Sequence, residues 1–256
     1  MINGICGDFI GSKWEFNKEK IPLNFKLIDL DKQNITDETI FFIAMMDCIN
    51  NKSNNYKKYL IKWCDKYPNI GYGSRFTSWL YSYDQKDYQS KGNGCLTRIA
   101  PIAYKFKGTI EELDSEVIKA INFTHGTEEG IKWAKAIART IYMAKRNIEP
   151  VKILKNIEKE VLTNEKFCDI IDLKGYRSEL AKDAAPYCII AGLMNESFEN
   201  GIREVIYRGI DADSLAAITG CILEARGIYP KQDIIETIFK QLPKEMKEVI
   251  KKFYKE

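Results

Sequence analysis

The sequence predicts an all-α protein that forms a single domain over residues 1–256. Apolar residues recur at helical spacing in about ten segments, whereas the alternation typical of β-strands is almost absent. The chain contains no internal repeat and no linker rich in Pro, Gly or Ser, so nothing marks a domain boundary. A chain of 256 residues is also long enough to bury one large core.

The first helix is predicted from a run of small and apolar residues. Gly4, Gly7 and Gly11 lie at three- and four-residue spacing, which places them on one helical face and lets another backbone come close. The Ala-rich segment 178–194 is the partner we expect on this face. Asp8 lies among apolar neighbours, so we expect it to be held by hydrogen bonds if it is buried.

A second helix is predicted from the apolar run at 40–46, with Thr36 as its N-cap. Its first turn carries Asp37 and Glu38. Burying these carboxylates is costly unless a positive charge meets them, and a bound cation would supply that charge.

The remaining elements follow in order along the chain. Pro68 is expected to stop one helix, and the Lys-rich face of the last helix is interpreted as solvated. The predicted elements are a loop at 17–34 with a short strand at 25–28, helices at 56–67 and near Trp79, an exposed loop at 81–91, and helices at 110–123, 128–146, 150–162, 178–194, 198–208, 214–226 and 234–256.

A glycine-rich entry to a helix, Gly92-Asn93-Gly94, leaves backbone N–H groups free to meet an anion, although such sequences also occur as plain turns. Arg98 follows it, and we expect a buried acid rather than a phosphate as its partner. His125 is the only histidine, and a structural hydrogen bond is favoured over catalysis or metal binding.

Asp211, Asp213 and Ser214 lead directly into an apolar helix. Two carboxylates and a hydroxyl are donors for a hard cation such as Mg²⁺, Mn²⁺ or Ca²⁺. Asp and Ser are also common helix caps, which is the competing interpretation. The similar stretch at 36–39 favours the metal hypothesis, provided that the two acidic turns meet.

Composition excludes several other classes. The net charge of +3 does not favour nucleic-acid binding, and no apolar run approaches the ~18 residues of a membrane span. The seven cysteines are scattered and the start of the chain lacks a signal-peptide layout, which predicts reduced thiols in a cytoplasmic protein. We expect a monomer.

Taken in order, these motifs resemble the ADP-ribosylglycohydrolase family, which includes the dinitrogenase-reductase-activating glycohydrolases. The resemblance runs from about Met1 to Pro230. It is carried by Gly7-Asp8-Phe9-Ile10-Gly11-Ser12-Lys13-Trp14-Glu15, Thr36-Asp37-Glu38-Thr39, Gly92-Asn93-Gly94-Cys95-Leu96-Thr97-Arg98, Thr124-His125, Gly209-Ile210-Asp211-Ala212-Asp213-Ser214 and the following Glu224 to Pro230.

The resemblance implies an orthogonal helical bundle with a dinuclear metal cleft that holds two Mg²⁺, or Mn²⁺, ions. It implies a hydrolase that cleaves the ribose C1 bond of an ADP-ribosylated acceptor, with a protein arginine favoured by analogy and with loops 17–34 and 81–91 selecting the acceptor. The implied residues are metal ligands Thr36, Asp37, Glu38, Asp211, Asp213 and Ser214, catalytic carboxylates Glu15 and Asp37, and substrate-binding residues Ser90, Gly92, Asn93, Gly94 and His125.

Three residues depart from the family pattern. Glu38 stands where most relatives have Asp, and Lys91 and Thr97 differ from the usual residues around the phosphate loop. The extra methylene of Glu38 could displace or weaken the second ion, because Mg²⁺ tolerates poor geometry badly. The alternative function is therefore an ADP-ribose-binding protein with little or no turnover. A purely structural role, as in lens crystallins of this superfamily, is disfavoured by the retained carboxylates.

Overall fold

The computed structural model describes residues 1–17, 21–171, 178–208 and 211–255, and within these ranges the secondary structure is helical with two isolated β-bridges. The all-α prediction is therefore confirmed. The helices are α1 (Ile2–Ser12), α2 (Asp37–Asn50), α3 (Tyr56–Lys66), α4 (Ser74–Leu80), α5 (Gly94–Lys105), α6 (Ile110–His125), α7 (Glu128–Ala144), α8 (Pro150–Glu160), α9 (Phe167–Ile170), α10 (Ala181–Met194), α11 (Phe198–Arg208), α12 (Ala212–Ala225), α13 (Gln232–Gln241) and α14 (Lys244–Lys255).

The glycine face of α1 packs against α12, with the two backbones in direct contact. A Cβ atom added to Gly7 would lie 2.1 Å from the Ala216 carbonyl oxygen, and one added to Gly220 would lie 2.3 Å from that of Asn3. The prediction that the 178–194 helix covers this face is wrong, because α10 packs on α12 and α7 instead. Small residues at four-residue spacing in α12 (Ala212, Ala216, Gly220) provide the matching surface.

The predicted strand at 25–28 is also absent, since residues 21–34 form turns and bends. The carbonyl groups there are bound by side chains rather than by a neighbouring strand. Arg203 donates to the carbonyl of Phe25, and the Gln33 amide donates to that of Leu27 at 2.7 Å. Phe25 and Leu27 are buried by this arrangement.

The loop predicted at 81–91 is partly ordered against the end of α6. The amide of Tyr88 donates to the Phe123 carbonyl at 3.1 Å, and that of Ser90 donates to Thr124 at 2.8 Å. These bonds fix the segment that leads into the start of α5.

Both acidic turns begin buried helices, and this is what positions the site. The Thr36 side chain caps α2 by accepting from the Glu38 amide. Every residue of α12 is buried, so its first turn lies inside the protein.

Among the described helices, none is both long and apolar enough to cross a membrane. The seven cysteines are free thiols, as expected, and six of them are buried.

Candidate active site

The starts of α2, α5 and α12 converge on one cavity of about 440 Å³. The turn after α1 contributes Glu15, and the end of α6 contributes His125. All of the predicted site residues except Thr36 line this cavity, namely Glu15, Asp37, Glu38, Ser90, Gly92, Asn93, Gly94, His125, Asp211, Asp213 and Ser214. Gly209 and Ile210, which complete the last motif, lie outside the described residues.

Asp8 holds the start of α2 from behind. Its carboxylate accepts from the amides of Thr36 at 3.0 Å and Thr39 at 3.1 Å, and also from both threonine hydroxyls. Burial raises the pKa of Asp8, while these hydrogen bonds act in the opposite direction. The prediction that Asp8 is a hydrogen-bonded structural residue is confirmed. The Thr36 hydroxyl donates its hydrogen to Asp8 Oδ1 at 2.6 Å.

Three carboxylates form a cluster that could hold a metal ion. One oxygen from each of Glu15, Asp211 and Asp213 lies within 4.8 Å of the others. Burial raises the pKa of Asp213 to about 7, with the Glu15 charge adding to it. Burial raises the pKa of Glu15 to about 7 as well, and the Asp211 charge contributes. Like charges this close, with Asp211 and Asp213 buried, favour a cation between them.

The donor set fits a divalent cation by a second criterion. The Oδ1 atom of Asp213 is buried and has no hydrogen-bond partner in the described residues, although the side chain is only 2% exposed. A buried carboxylate oxygen without a partner is costly, and a cation would satisfy it. All-oxygen donors suit Mg²⁺, Mn²⁺ or Ca²⁺ rather than softer metals.

Asn93 is directed at the carboxylate cluster. Its side-chain amide donates to Asp211 Oδ2 at 2.6 Å, and its backbone N–H donates to the Glu179 carbonyl at 2.8 Å. The amide therefore orients Asp211 and partly opposes the rise in the pKa of Asp211, which burial and the Asp213 charge cause. Asn93 thus supports the acidic end of the cavity as well as bordering the glycine loop.

Glu38 joins the two acidic turns. Ser214 donates its hydroxyl hydrogen to one carboxylate oxygen of Glu38, and Thr97 donates to the other. The two acidic turns therefore meet, as the metal hypothesis requires. Burial raises the pKa of Glu38 to about 8, against the effect of these two hydrogen bonds. Asp37, which is half-buried beside it, has a pKa raised well above the usual range by burial and by the Glu38 charge.

The start of α5 gives the cavity an electropositive side. No side chain caps this helix, so the first backbone N–H groups of its opening turn lack an internal partner. The preceding loop is held by the Gly92 amide, which donates to the Ser90 hydroxyl at 3.0 Å. A helix N-terminus of this kind favours an anion through its dipole and its free N–H groups.

Arg98 does not pair with a buried acid, contrary to the prediction. The side chain is 1% exposed and donates to the Thr124 hydroxyl at 2.6 Å. Its guanidinium lies over the rings of Phe41 at 4.8 Å and Phe76 at 5.2 Å. Aromatic faces and a hydroxyl thus stabilise this charge within the described residues.

His125 is buried at the cavity wall, and its Nδ1 atom lies 2.9 Å from the Thr124 hydroxyl. Burial and the nearby Arg98 charge hold the pKa of this imidazole well below its usual range. His125 therefore stays neutral at physiological pH. This hydrogen bond fits the structural role favoured from the sequence, and the ring borders the substrate space as well.

Among the residues that line the cavity, sequence reasoning did not assign Arg75, Tyr88 or Glu179 to the site. Arg75 is exposed, and its guanidinium lies 5.4 Å from the centre of the Tyr88 ring. Glu179 lines the same cavity, and its charge contributes to the raised pKa of Glu15. The one available signal was an arginine two residues after Gly73 in a second glycine-containing turn. Glu179 and Tyr88 lie in unremarkable polar segments, so nothing in the sequence distinguished them.

Comparison with known proteins identifies the fold and the family of this chain. A solved structure described as an ADP-ribosylglycohydrolase-related protein complex superimposes with a TM-score of 0.77, covering 99% of this chain and 95% of that chain at 20% sequence identity. This likeness shows a shared fold. No curated protein sequence matches the chain. The family model for ADP-ribosylglycohydrolase matches residues 1–250, and the chain therefore belongs to the ADP-ribosylglycohydrolase family.

Proposed function

We propose that this protein hydrolyses the bond between ribose C1 and an acceptor, releasing ADP-ribose. The observation that carries the proposal is the pairing of two opposite electrostatic environments in one cavity. Glu15, Asp211 and Asp213 form an acidic end, and the uncapped start of α5 forms an electropositive side. A ribose joined to a diphosphate needs both, because its hydroxyls can be held by a cation and its phosphates by N–H groups.

The acidic end would hold a divalent cation, for which Mg²⁺ is our proposal and Mn²⁺ the alternative. The ligands we propose are led by Asp211 and Asp213 of the second acidic turn and by Glu15, whose carboxylate oxygens cluster. When bound, such an ion orients ribose hydroxyls and lowers the pKa of a bound water molecule. The number of ions depends on Glu38, whose carboxylate oxygens both accept hydrogen bonds from hydroxyl groups.

Glu15 and Asp37 are the carboxylates we propose for catalysis. Cleavage develops positive charge at ribose C1, which a nearby carboxylate stabilises. A carboxylate can also take a proton from the attacking water, and one with a raised pKa can return a proton to the leaving group. Glu15 borders the cavity beside Asp211 and Asp213, which places its carboxylate where ribose C1 would lie next to a bound ion.

The diphosphate would lie against the loop from Ser90 to Gly94 and the first turn of α5. Arg75 borders the same cavity and adds a positive charge there, while Tyr88 supports its guanidinium. Neutral His125 lines the wall and can offer a hydrogen bond to a ribose or phosphate oxygen without adding charge.

For the acceptor we propose a protein arginine side chain. Glu15 and Glu179 are close enough for the Glu179 charge to raise the pKa of Glu15. Two carboxylates at this position complement a guanidinium, whereas a phosphate-bearing acceptor would be repelled.

The test is release of ADP-ribose from an arginine-ADP-ribosylated protein, measured with Mg²⁺, Mn²⁺ or EDTA. We expect metal-dependent release that is lost in Asp213→Asn and kept in Asp84→Asn, which removes an exposed carboxylate paired with Lys86. Release that persists in EDTA, or that survives Asp213→Asn, would contradict the metal-dependent reaction. Serine-linked and nucleic-acid-linked substrates measured in parallel would show whether the arginine acceptor is the wrong choice.

One contact favours a second function, an ADP-ribose-binding protein with weak turnover. Glu38 is engaged by Thr97 and Ser214, so a second ion would have to compete with these hydroxyls. This alternative predicts tight ADP-ribose binding, no release with any linkage, and release gained in Glu38→Asp.

A further inference from the structure

Four of the carboxylates that line this cavity, Glu15, Glu38, Asp211 and Asp213, fall into two groups that differ in how their oxygens are satisfied. Glu38 is 3% exposed, and each of its oxygens accepts a hydrogen bond from a hydroxyl, one from Thr97 in α5 and one from Ser214 in α12. Asp213 is equally buried, yet its Oδ1 atom has no partner in the described residues. Glu38 is therefore satisfied by the protein itself, whereas Asp213 is not.

The spacing of the oxygens separates the same two groups. Within the described residues, the carboxylates whose oxygens lie within 4.8 Å of one another are Glu15, Asp211 and Asp213. Asp211 is further oriented by the Asn93 amide, which donates to its Oδ2 atom at 2.6 Å. Three carboxylate oxygens and waters can complete the shell of one octahedral divalent cation.

The hydroxyl of Ser214 connects the two groups. It gives its hydrogen to Glu38, and the same hydroxyl lies within hydrogen-bonding reach of Asp211. A carboxylate that orients a metal-binding group from behind commonly raises metal affinity without touching the ion. Two of the three departures from the family pattern also contact each other, because the Thr97 hydroxyl donates to the longer side chain of Glu38.

We propose that this chain holds one divalent cation rather than two, bound by Glu15, Asp211 and Asp213. Glu38, anchored by Thr97 and Ser214, is then a positioning residue that orients the Ser214 hydroxyl. The inference rests on the proposed function only in taking this cavity as the site where substrate binds.

Titration of the EDTA-treated and dialysed protein with Mn²⁺ tests this directly, with free Mn²⁺ measured by electron paramagnetic resonance. We expect one Mn²⁺ per chain for the wild type. Glu38→Gln should keep that stoichiometry and lower the affinity about 10- to 100-fold, as loss of an outer carboxylate does. Asp213→Asn should bind no Mn²⁺ at concentrations that saturate the wild type, and Asp84→Asn should behave as the wild type does.

Thr97 supplies a finer test that does not depend on the fate of Glu38 variants. Thr97→Val removes the hydroxyl at nearly constant shape, so one anchor of Glu38 is lost while the packing is kept. We expect a weaker single site in Thr97→Val and wild-type affinity in Thr97→Ser. Equal loss in both variants would mean that Thr97 acts through packing and would overturn the positioning role. Circular dichroism melts of each variant would identify any that fail to fold.

Two bound Mn²⁺ per wild-type chain, with one lost in Glu38→Gln, would overturn the inference, and so would the absence of bound Mn²⁺. Since the titration contains no substrate, these outcomes are separate from the hydrolase. One Mn²⁺ without release of ADP-ribose from any substrate would support the inference and refute the proposed function. Two Mn²⁺ with metal-dependent release would do the reverse.

Discussion

Gly11 links the packing of α1 to the carboxylate cluster, and its substitution by alanine is the most informative perturbation. A Cβ atom there would lie 2.4 Å from the Ala212 carbonyl oxygen and 2.5 Å from the Cα of Asp213. Real contacts of this kind are rarely shorter than about 3.2 Å, so the two backbones must separate by roughly 1 Å. Neither obstacle is a flexible side-chain end that could rotate away.

The expected cost follows from this rigidity. Overpacking a well-packed contact costs about 1–3 kcal/mol and occasionally more, and two backbone clashes place Gly11→Ala at about 3 kcal/mol or above. In a chain of this size that lowers the Tm by roughly 6–12 °C. The separation would also move Asp213 relative to Glu15, because Asp213 lies in the first turn of α12 and Glu15 lies in the turn after α1. Mn²⁺ affinity should therefore fall at least tenfold, by analogy with lost outer-shell support.

Thermal and urea unfolding would be measured beside Mn²⁺ titration, with Gly73→Ala as the matched control. Gly73 has a φ of −53°, and a Cβ atom added to it meets nothing within 4 Å. That substitution should be neutral or stabilise the protein by up to about 1 kcal/mol. Gly11→Ala within 1 kcal/mol of the wild type, or destabilised with unchanged Mn²⁺ affinity, would refute the proposed link between helix packing and the metal site.

Three further predictions concern Asp8, Arg75 and His125. Asp8→Ala removes four hydrogen bonds and leaves the buried N–H of Thr39 and the part-buried N–H of Thr36 without their acceptor, so urea unfolding should show a loss of about 4 kcal/mol against no loss in Asp84→Ala. Arg75→Gln should weaken ADP-ribose binding, measured by calorimetry, about tenfold and should reduce the salt dependence of that binding. Adenosine binding by Arg75→Gln, and ADP-ribose binding by the control variant Lys86→Gln, should stay unchanged. An equal loss of adenosine binding would contradict a charge effect. Because the pKa of His125 is lowered in the folded protein, the contribution of this residue to stability is present above pH 6.5 and is lost as pH falls. The difference in unfolding free energy between the wild type and His125→Asn should therefore narrow by about 1 kcal/mol from pH 7 to 5.5. A constant difference would show that the histidine can take up a proton in the folded protein.

The parts of this structure that sequence predicted are those set by local chemistry. A threonine before an apolar run predicted the start of α2, and glycines at helical spacing predicted a close backbone contact on α1. The two acidic turns were predicted as candidate metal sites for the same reason, because each carries its carboxylates directly before an apolar helix. These features depend on neighbours within one or two helical turns.

The parts that sequence did not predict depend on which distant residues meet. Both α10 and α12 offer small residues, and only the folded chain shows that α12 meets α1. The aromatic rings beneath Arg98 come from α2 and α4, so a buried acid was the wrong partner. The hydroxyl groups on Glu38 likewise come from α5 and α12, and a metal-binding carboxylate has the same local sequence as one held by hydroxyls.

The contact between the two acidic turns has a consequence for the order of folding. Glu38 and Ser214 are 176 residues apart in sequence, and closing a loop of that length costs about 5 kcal/mol of chain entropy. The carboxylate cluster joins residues near the two ends of the chain, so we expect it to form together with the docking of α12 on α1, late in folding. An ion bound there stabilises the native state without assisting the earlier steps, by about 2.7 kcal/mol at a hundred times its Kd. Such an ion should slow unfolding and leave the folding rate unchanged, so that the loaded protein is protected kinetically as well as thermodynamically.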